Sequence, residues 1–192
     1  YNTGVIEAEK NGCSDTKLSE ARKDFKPRVE CTWSLKVPED AIGSFSEKKI
    51  PIKMNLEYNS KLSNSQEPIK AHFMPVEQIS STETVSEKFS NNEVSLSVET
   101  ERPIPFEGRT ITVTANNDGP GRVASDYTFS YFPEEVFKDC PEQKEPVVGQ
   151  EAEFTCRIAP DSDVERTRNL IISTSYKYVK APTLDIRVVD TQ

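Results

Sequence analysis

Hydrophobic and polar residues alternate along two stretches of the chain. The segment IPIKMNLEYN (50–59) has an apolar or aromatic side chain at every second position, and LIISTSYKY (170–178) does the same with one threonine. Because successive side chains of a strand point to opposite faces, this period of two indicates strands with one buried face. A polar turn and a shorter alternating segment follow each of them, PIKAHFM (68–74) and TLDIRVV (183–189). Each pair of segments is therefore predicted to form a β-hairpin.

The rest of the chain has the pattern of an all-β protein. Three further segments alternate, EVSLSVE (93–99), RTITVTANN (109–117) and DYTFSYF (126–132). Helical patterns are confined to one or two turns at 19–25 and 133–137, and the 13 prolines suit strand ends and loops. The predicted fold class is therefore all-β.

The two halves of the chain share one order of features. A constant offset of 120 aligns 50–58 with 170–178, and two cysteines precede each segment, the second of them in VEC or FTC. We interpret this as an internal duplication into two tandem domains, 1–84 and 85–192, with the two aligned strands in equivalent positions. Two unrelated β domains of similar composition are the alternative.

The first copy is predicted to be shorter than the second. Only twelve residues precede Cys13, so its opening strands are expected upstream of Tyr1, or another segment replaces them. The stretch QISSTETVSEKFSNN (78–92) is either that segment or a linker, and its Ser, Thr, Glu and Asn content favours an extended connection.

The four cysteines predict two local disulfides. Zinc sites usually pair their cysteines two to four residues apart, and the gaps here are longer, with His72 as the only histidine. We expect Cys13 to bond Cys31 and Cys140 to bond Cys156, each closing a loop shorter than about 20 residues and contributing roughly 3 kcal/mol. Since disulfides persist outside the reducing cytosol, the predicted location is extracellular or at the cell surface.

The charge balance excludes some classes of partner. Lysine and arginine number 24 against 32 aspartates and glutamates, which gives a net charge of −8 and leaves no basic patch for nucleic acid. No run approaches the ~20 apolar residues of a transmembrane helix, so no membrane insertion is expected within this segment. The expected partners are other protein domains or chains at the cell surface.

The loop TANNDGPGRV (114–123) brackets a proline with two glycines, as a phosphate-binding loop can. A Walker loop continues with Lys and Ser or Thr into a helix, whereas here Arg122 leads into an alternating strand. We therefore interpret the loop as a turn between strands, in which residues 116–119 adopt positive φ.

Few residues suit catalysis or metal binding. Any Ser-His or Cys-His site must use His72, which is expected to be an exposed strand residue facing away from its apolar neighbours. Asp161, Asp163 and Glu165 alternate as at the start of a calcium loop, but the glycine and the closing glutamate of that loop are missing. The sequence thus predicts no catalytic residue, no metal site and no cofactor, and it identifies no ligand-binding residue.

The passage ERPIPFEGRTITVTANNDGPGRVASDYTFSYF (101–132) has a proline-and-glycine lead-in, an alternating strand, an Asn-rich Gly turn and a second alternating strand. It resembles the immunoglobulin-like repeats of prokaryotic surface proteins, in particular CARDB and S-layer-associated domains, and the resemblance covers mainly residues 99–132. It implies a seven-stranded sandwich that serves as a spacer, stalk or adhesion module. We therefore expect two tandem immunoglobulin-like sandwiches, each with one disulfide.

The expected function is that of a non-enzymatic extracellular structural or adhesion module of a larger cell-surface protein. The alternative is an assembly subunit, or the outer domains of a surface filament, fusion or entry protein. Such a protein would bind its partner through an exposed sheet edge.

Overall fold

The structure, a computed structural model, describes residues 7–14, 30–38, 47–147 and 151–189. Within these ranges the chain forms strands and two short 3-10 turns and no α-helix, which confirms the all-β prediction. The turn at Glu134–Val136 lies where a helical turn was predicted, and the other prediction, at 19–25, lies outside the described residues. The strands are β1 (Glu7–Cys13), β2 (Cys31–Lys36), β3 (Glu47–Lys53), β4 (Leu56–Ser63), β5 (Ile69–Met74), β6 (Glu83–Ser90), β7 (Val94–Arg102), β8 (Ile104–Pro105), β9 (Arg109–Asn117), β10 (Arg122–Val123), β11 (Tyr127–Phe132), β12 (Phe137–Lys138), β13 (Gln143–Lys144), β14 (Glu151–Ile158), β15 (Arg166–Lys180) and β16 (Thr183–Val189).

The chain divides into two units, Tyr1–Ile52 with Thr183–Gln192, and Lys53–Pro182. In the first unit β1 pairs with β2, and Cys13 lies opposite Cys31 and is disulfide-bonded to it. The strands β3 and β16 form a second pair. Where the structure describes burial in this unit, no residue is fully buried. The disulfide cross-links the β1–β2 pair.

The second unit consists of two sheets. The larger sheet follows the order β13-β11-β15-β5-β8, and β4 and β10 also pair with β15. The smaller sheet follows the order β12-β14-β9-β7-β6. The second disulfide joins Cys140, between β12 and β13, to Cys156 of β14. Both cysteine pairs expected from the sequence are therefore present.

The inner faces of these two sheets share one hydrophobic core. The ring of Phe129 on β11 lies edge-on to that of Phe154 on β14, with centroids 4.9 Å apart. The alternating positions of the strands supply most of the buried side chains, and each contributes about 1.5–3 kcal/mol by leaving water. The largest fully buried ones are Tyr127, Tyr178, Phe73, Ile69, Leu96, Ile104, Ile111, Ile158, Leu170 and Ile172. This core explains the apolar face of the long strands of the second unit.

The predicted hairpins are wrong. Both β4 and β5 pair with β15, one after the other along the same side, because residues 64–68 form a bulge that does not reverse the chain. Asn64 completes the ladder at this bulge: its side-chain amide donates to the Leu170 carbonyl (3.1 Å) and its Oδ1 accepts from the Ile172 amide (2.8 Å). In the other half, β16 pairs with β3 and not with β15.

The aligned segments 50–58 and 170–178 are not equivalent strands of two domains. The first is broken after Lys53, and its second part, β4, is hydrogen-bonded to β15 in the same sheet. The division also differs from the one expected at residue 84, which falls inside β6. For residues 78–92 the sequence allows either a strand or a linker. The structure places β6, an edge strand of the smaller sheet, within them.

Candidate functional site

The strand β4 is an open edge of the larger sheet. It pairs with β15 from Leu56 to Ser63, and no other strand pairs with it in the part of the chain that the structure describes. An edge strand presents a row of free backbone N–H and C=O groups, which is a template for pairing with a further strand. We call the free backbone side of residues 57–63 the β4 edge.

The register identifies which backbone groups are free. The backbone N–H of Asn64 donates to the Ile172 carbonyl (3.4 Å), so Asn64 and Ile172 form a hydrogen-bonded pair. In an antiparallel ladder, hydrogen-bonded pairs alternate with non-hydrogen-bonded pairs. Even-numbered residues of β4 therefore bond to β15. The N–H and C=O groups of Glu57, Asn59 and Lys61 point to the β4 edge.

The two faces of β4 differ in character. Tyr58 and Ser60 are half-buried and Leu62 is buried, so these side chains face the core. On the other face Glu57 and Lys61 are exposed, and Glu57 makes an ion pair with Lys177 of β15 (2.9 Å). The only polar groups on the inner face of β4 are the Tyr58 hydroxyl and Ser60. The strand contains no proline and no inward-facing charge.

The other edges of the second unit are protected or short. The edge strand β6 turns Glu87 towards Arg102 of β7, with 2.7 Å between Oε1 and Nη2. An inward charge of this kind opposes edge-to-edge pairing because a new strand would bury it. The edge of β5 is covered in part by β8, which pairs with it at Phe73 and Met74. The strands β12 and β13 have two residues each, so β4 is the long unprotected edge among the described strands of the second unit.

A cluster of tyrosines fixes β4 at its Leu56 end. The Tyr58 hydroxyl donates to Glu93 in the turn between β6 and β7, and Lys180 Nζ lies 3.6 Å from the same carboxylate oxygen. In the same turn the Asn91 amide donates to the Tyr176 hydroxyl (2.8 Å). Burial, and then the hydrogen bond to Glu93, raise the pKa of Tyr58 above its ordinary value. The Tyr58 hydroxyl therefore keeps its proton and remains a hydrogen-bond donor to Glu93.

The loop 114–123 is a turn that packs on Tyr178. The Gly121 amide donates to the Tyr178 hydroxyl (2.9 Å), which donates to Asn117 Oδ1 (3.1 Å). The amides of Asp118 and Gly119 both donate to the Glu93 carbonyl, at 2.9 Å. These amides already have acceptors within the protein, so the loop does not present them to a phosphate.

The predicted reason for the glycines in this loop is wrong. None of residues 116–119 has positive φ. Instead, a Cβ on Gly121 would overlap the Val179 carbonyl oxygen and the Tyr178 ring, and a Cβ on Gly119 would overlap the Tyr178 hydroxyl. Close approach of the loop to β15 is therefore what requires glycine.

His72 lies on the outer face of β5, as expected, and has two polar neighbours. Its Nδ1 is 3.1 Å from the Thr167 hydroxyl, and its Nε2 is 3.4 Å from Glu165 Oε1. This order resembles a nucleophile, a base and an orienting carboxylate. The His72 and Glu165 side chains are 43% and 52% exposed, however, on an open strand face, so the group has the geometry of a solvated cross-strand pair.

The acidic residues of the loop before β15 do not converge. Asp161 pairs with Arg166, Glu165 faces His72, and Asp163 borders a groove beside Val76. Across the described residues no group of three or more His, Cys, Asp or Glu side chains could hold a metal ion. No helix in this part of the chain is long and apolar enough to cross a membrane.

Three shallow grooves of about 470, 410 and 360 Å³ lie on the second unit. The largest lies on the outer face of β7 and β9 and is lined by threonines, by Glu99 and by the Arg109–Glu101 ion pair. The second lies beside the Cys140–Cys156 disulfide, next to Tyr131. None of these three grooves is lined by His72 or by the β4 edge.

Sequence reasoning located the cysteines and His72 but not the β4 edge or the tyrosine cluster. Alternation at 56–62 identified the inward face of β4, but it does not reveal which strands lie beside it. In comparisons with protein-family models, curated proteins and solved structures, this chain matches none of them.

Proposed function

We propose that this chain is a non-enzymatic structural or adhesion module that works outside the cell or at its surface. The observation that carries the proposal is that all four cysteines are joined in two disulfides within an all-β fold. Such bonds form and persist in oxidising compartments and stabilise domains with thin cores. The resemblance of residues 99–132 to immunoglobulin-like surface repeats, and the two facing sheets of the second unit, support the same interpretation.

The test is the redox state of the four cysteines in the cells that make the protein. Cells are quenched in acid, and free thiols are then labelled with a mass tag. We expect no tag on the chain, because both disulfides are formed where the protein works. A control sample reduced before labelling takes four tags. Four tags on the unreduced chain would place it in a reducing compartment and contradict the proposal.

A second candidate function is assembly through a sheet edge. The specific observation in its favour is the long β4 edge, which lacks the inward charge present on β6. A partner strand would add main-chain hydrogen bonds to Glu57, Asn59 and Lys61, while its alternate side chains would pack beside Tyr58 and Leu62. The structural module and the assembly surface are compatible, because the edge lies on the second unit and uses no residue of either disulfide.

A further inference from the structure

We propose that the β4 edge pairs with the β4 edge of a second copy of this chain, in an antiparallel register centred on Asn59. This inference rests on the proposed assembly function and names its partner. It follows from the chemistry of β4, whose sequence LEYNSKLS is complementary to itself when it is read in the opposite direction.

Two-fold symmetry and strand geometry leave few registers to consider. Most homodimers are two-fold symmetric, so the same patch on both copies forms the contact. Side chains directly opposite each other in a sheet share a face, so odd-numbered residues of one copy must oppose odd-numbered residues of the other. The free backbone groups of the β4 edge also belong to odd-numbered residues, so these pairs are the hydrogen-bonded ones. The one remaining variable is the central residue.

The charges on the outer face select Asn59 as the centre. In that register Glu57 lies opposite Lys61 of the second copy, and the symmetric pair repeats the contact. A register centred on Glu57 or on Lys61 places like charges opposite each other, which is destabilising. Registers centred on Tyr58 or Ser60 leave both charges opposite neutral side chains. Among the registers centred on residues 57–61, only the one centred on Asn59 forms two Glu–Lys pairs.

The inner face agrees with this register. Leu56 lies opposite Leu62 of the second copy, and Tyr58 lies opposite Ser60. In the single chain Leu56 is 41% exposed, whereas Leu62 is buried. Pairing gives the exposed Leu56 side chain an apolar neighbour, and apolar cross-strand pairs stabilise sheets.

The expected dimer is weak. The strand has eight residues, and a single edge-to-edge strand pair buries far less surface than a stable dimer interface does. We therefore expect a dissociation constant of about 10–100 μM. The charge pairs are exposed and serve mainly to fix the register.

The first test is sedimentation equilibrium of the full chain with its disulfides intact, from about 1 μM to about 1 mM. Wild type is expected to move from one to two copies of the 21.6 kDa chain. Lys61→Glu puts carboxylates opposite each other at both ends of the pair and weakens dimerisation by roughly tenfold or more. The double variant Glu57→Lys with Lys61→Glu exchanges the charges and restores the dissociation constant to within about threefold of wild type. Lys70→Glu, on the exposed face of β5, is the matched control and leaves it unchanged.

The second test is the register. Cα atoms of a hydrogen-bonded antiparallel pair are about 5.5 Å apart, which a disulfide can span. Asn59→Cys is therefore expected to give a covalent dimer under mild oxidation. Ser63→Cys is the control and is expected not to, because two copies of residue 63 lie at opposite ends of the paired strands.

Three results would overturn the proposal: a chain that stays monomeric at about 1 mM, a Lys61→Glu variant that dimerises like wild type, or Ser63→Cys cross-linking as readily as Asn59→Cys. Uptake of an extended peptide by a chain that stays monomeric would also overturn it, since the partner is then another protein. A monomeric chain in which both disulfides remain formed would leave the extracellular module intact, so failure of the two proposals can be distinguished.

Discussion

Tyr58 of β4 and Tyr178 of β15 lie directly opposite each other, and their ring centroids are 5.9 Å apart. The Tyr178 hydroxyl also contacts Asn117 at the end of β9 and Gly121 in the turn between β9 and β10. The tyrosine pair therefore connects the edge strand β4 to β15, which pairs with four described strands of the larger sheet, and connects β15 to the turn between β9 and β10.

Gly121→Ala is expected to destabilise the second unit. The added Cβ would meet the Val179 carbonyl, a backbone atom of β15, so the turn must move away and lose its hydrogen bond to Tyr178. We expect a loss of about 2–4 kcal/mol in the free energy of unfolding, measured by urea denaturation. Pro120→Ala, at an exposed position in the same turn, is the control and should stay within about 0.5 kcal/mol of wild type. Equal stability of the two variants would contradict this account of the loop.

Asn64→Ala is expected to weaken the junction of β4 and β5. The change leaves the Ile172 amide and the Leu170 carbonyl without their side-chain partners at a buried position. Leaving buried backbone groups unpaired costs about 1–3 kcal/mol each, so a total loss of about 2–4 kcal/mol is expected in urea denaturation. Ser65→Ala, at the exposed next residue, should have almost no effect. If both variants unfold at the wild-type urea midpoint, the Asn64 side chain does not stabilise the junction of β4 and β5.

Stability is expected to fall at alkaline pH. Burial raises the pKa of Tyr58, Tyr127 and Tyr131 above the ordinary value of 10.0. A tyrosine whose pKa is higher in the folded than in the unfolded chain stabilises the folded chain. This contribution is complete at pH values below the unfolded-state pKa, and it is lost as the pH rises towards the folded-state pKa. The free energy of unfolding should therefore be steady from about pH 7 to 9 and decline above about pH 10. Phenolate absorbance from these tyrosines that develops near pH 10 while the circular dichroism stays native would disagree with their burial.

The division into two units predicts separate unfolding signals. Trp33, the only tryptophan, lies in the first unit near the Cys13–Cys31 disulfide, whereas Tyr58 and Tyr178 lie in the second. The double variant Cys13→Ser with Cys31→Ser should lower the midpoint of the Trp33 fluorescence transition, with a loss of roughly 3 kcal/mol. The near-ultraviolet dichroism of the tyrosines should keep its wild-type midpoint. A shift of both signals by the same amount would favour one cooperative unit.

Much of the local structure could be predicted from the sequence. Alternation identified the buried face of β5, where Ile69 and Phe73 are buried, and the solvent-facing positions Lys53, Asn55 and Glu57. The apolar face of 50–58, predicted to be buried, is only half-buried, and Leu56 on it is exposed. The face of a strand depends on its own side chains, which a period of two reveals.

The pairing of strands could not be predicted in the same way. A strand's neighbours are set by distant segments, so the pattern at 50–58 and 170–178 allowed two domains as readily as one sheet. Tyr58 and Tyr178 lie opposite each other and face one core, so the apolar positions next to each of them alternate in the same phase. An exposed sheet edge was one of the sequence-based hypotheses, but the sequence does not reveal which strand forms it, since an edge is defined by the absence of a neighbouring strand.

The most direct test of the open edge is residue-resolved amide hydrogen exchange on β4. At about 1 μM, where the chain is expected to be monomeric, the amides of Tyr58, Ser60 and Leu62 should be protected by β15, whereas those of Glu57, Asn59 and Lys61 should exchange rapidly. At about 1 mM the second group should become protected as the edge pairs with a second copy. Protection of Glu57, Asn59 and Lys61 already at the lower concentration would show that the edge is covered within the chain, and this would contradict the account.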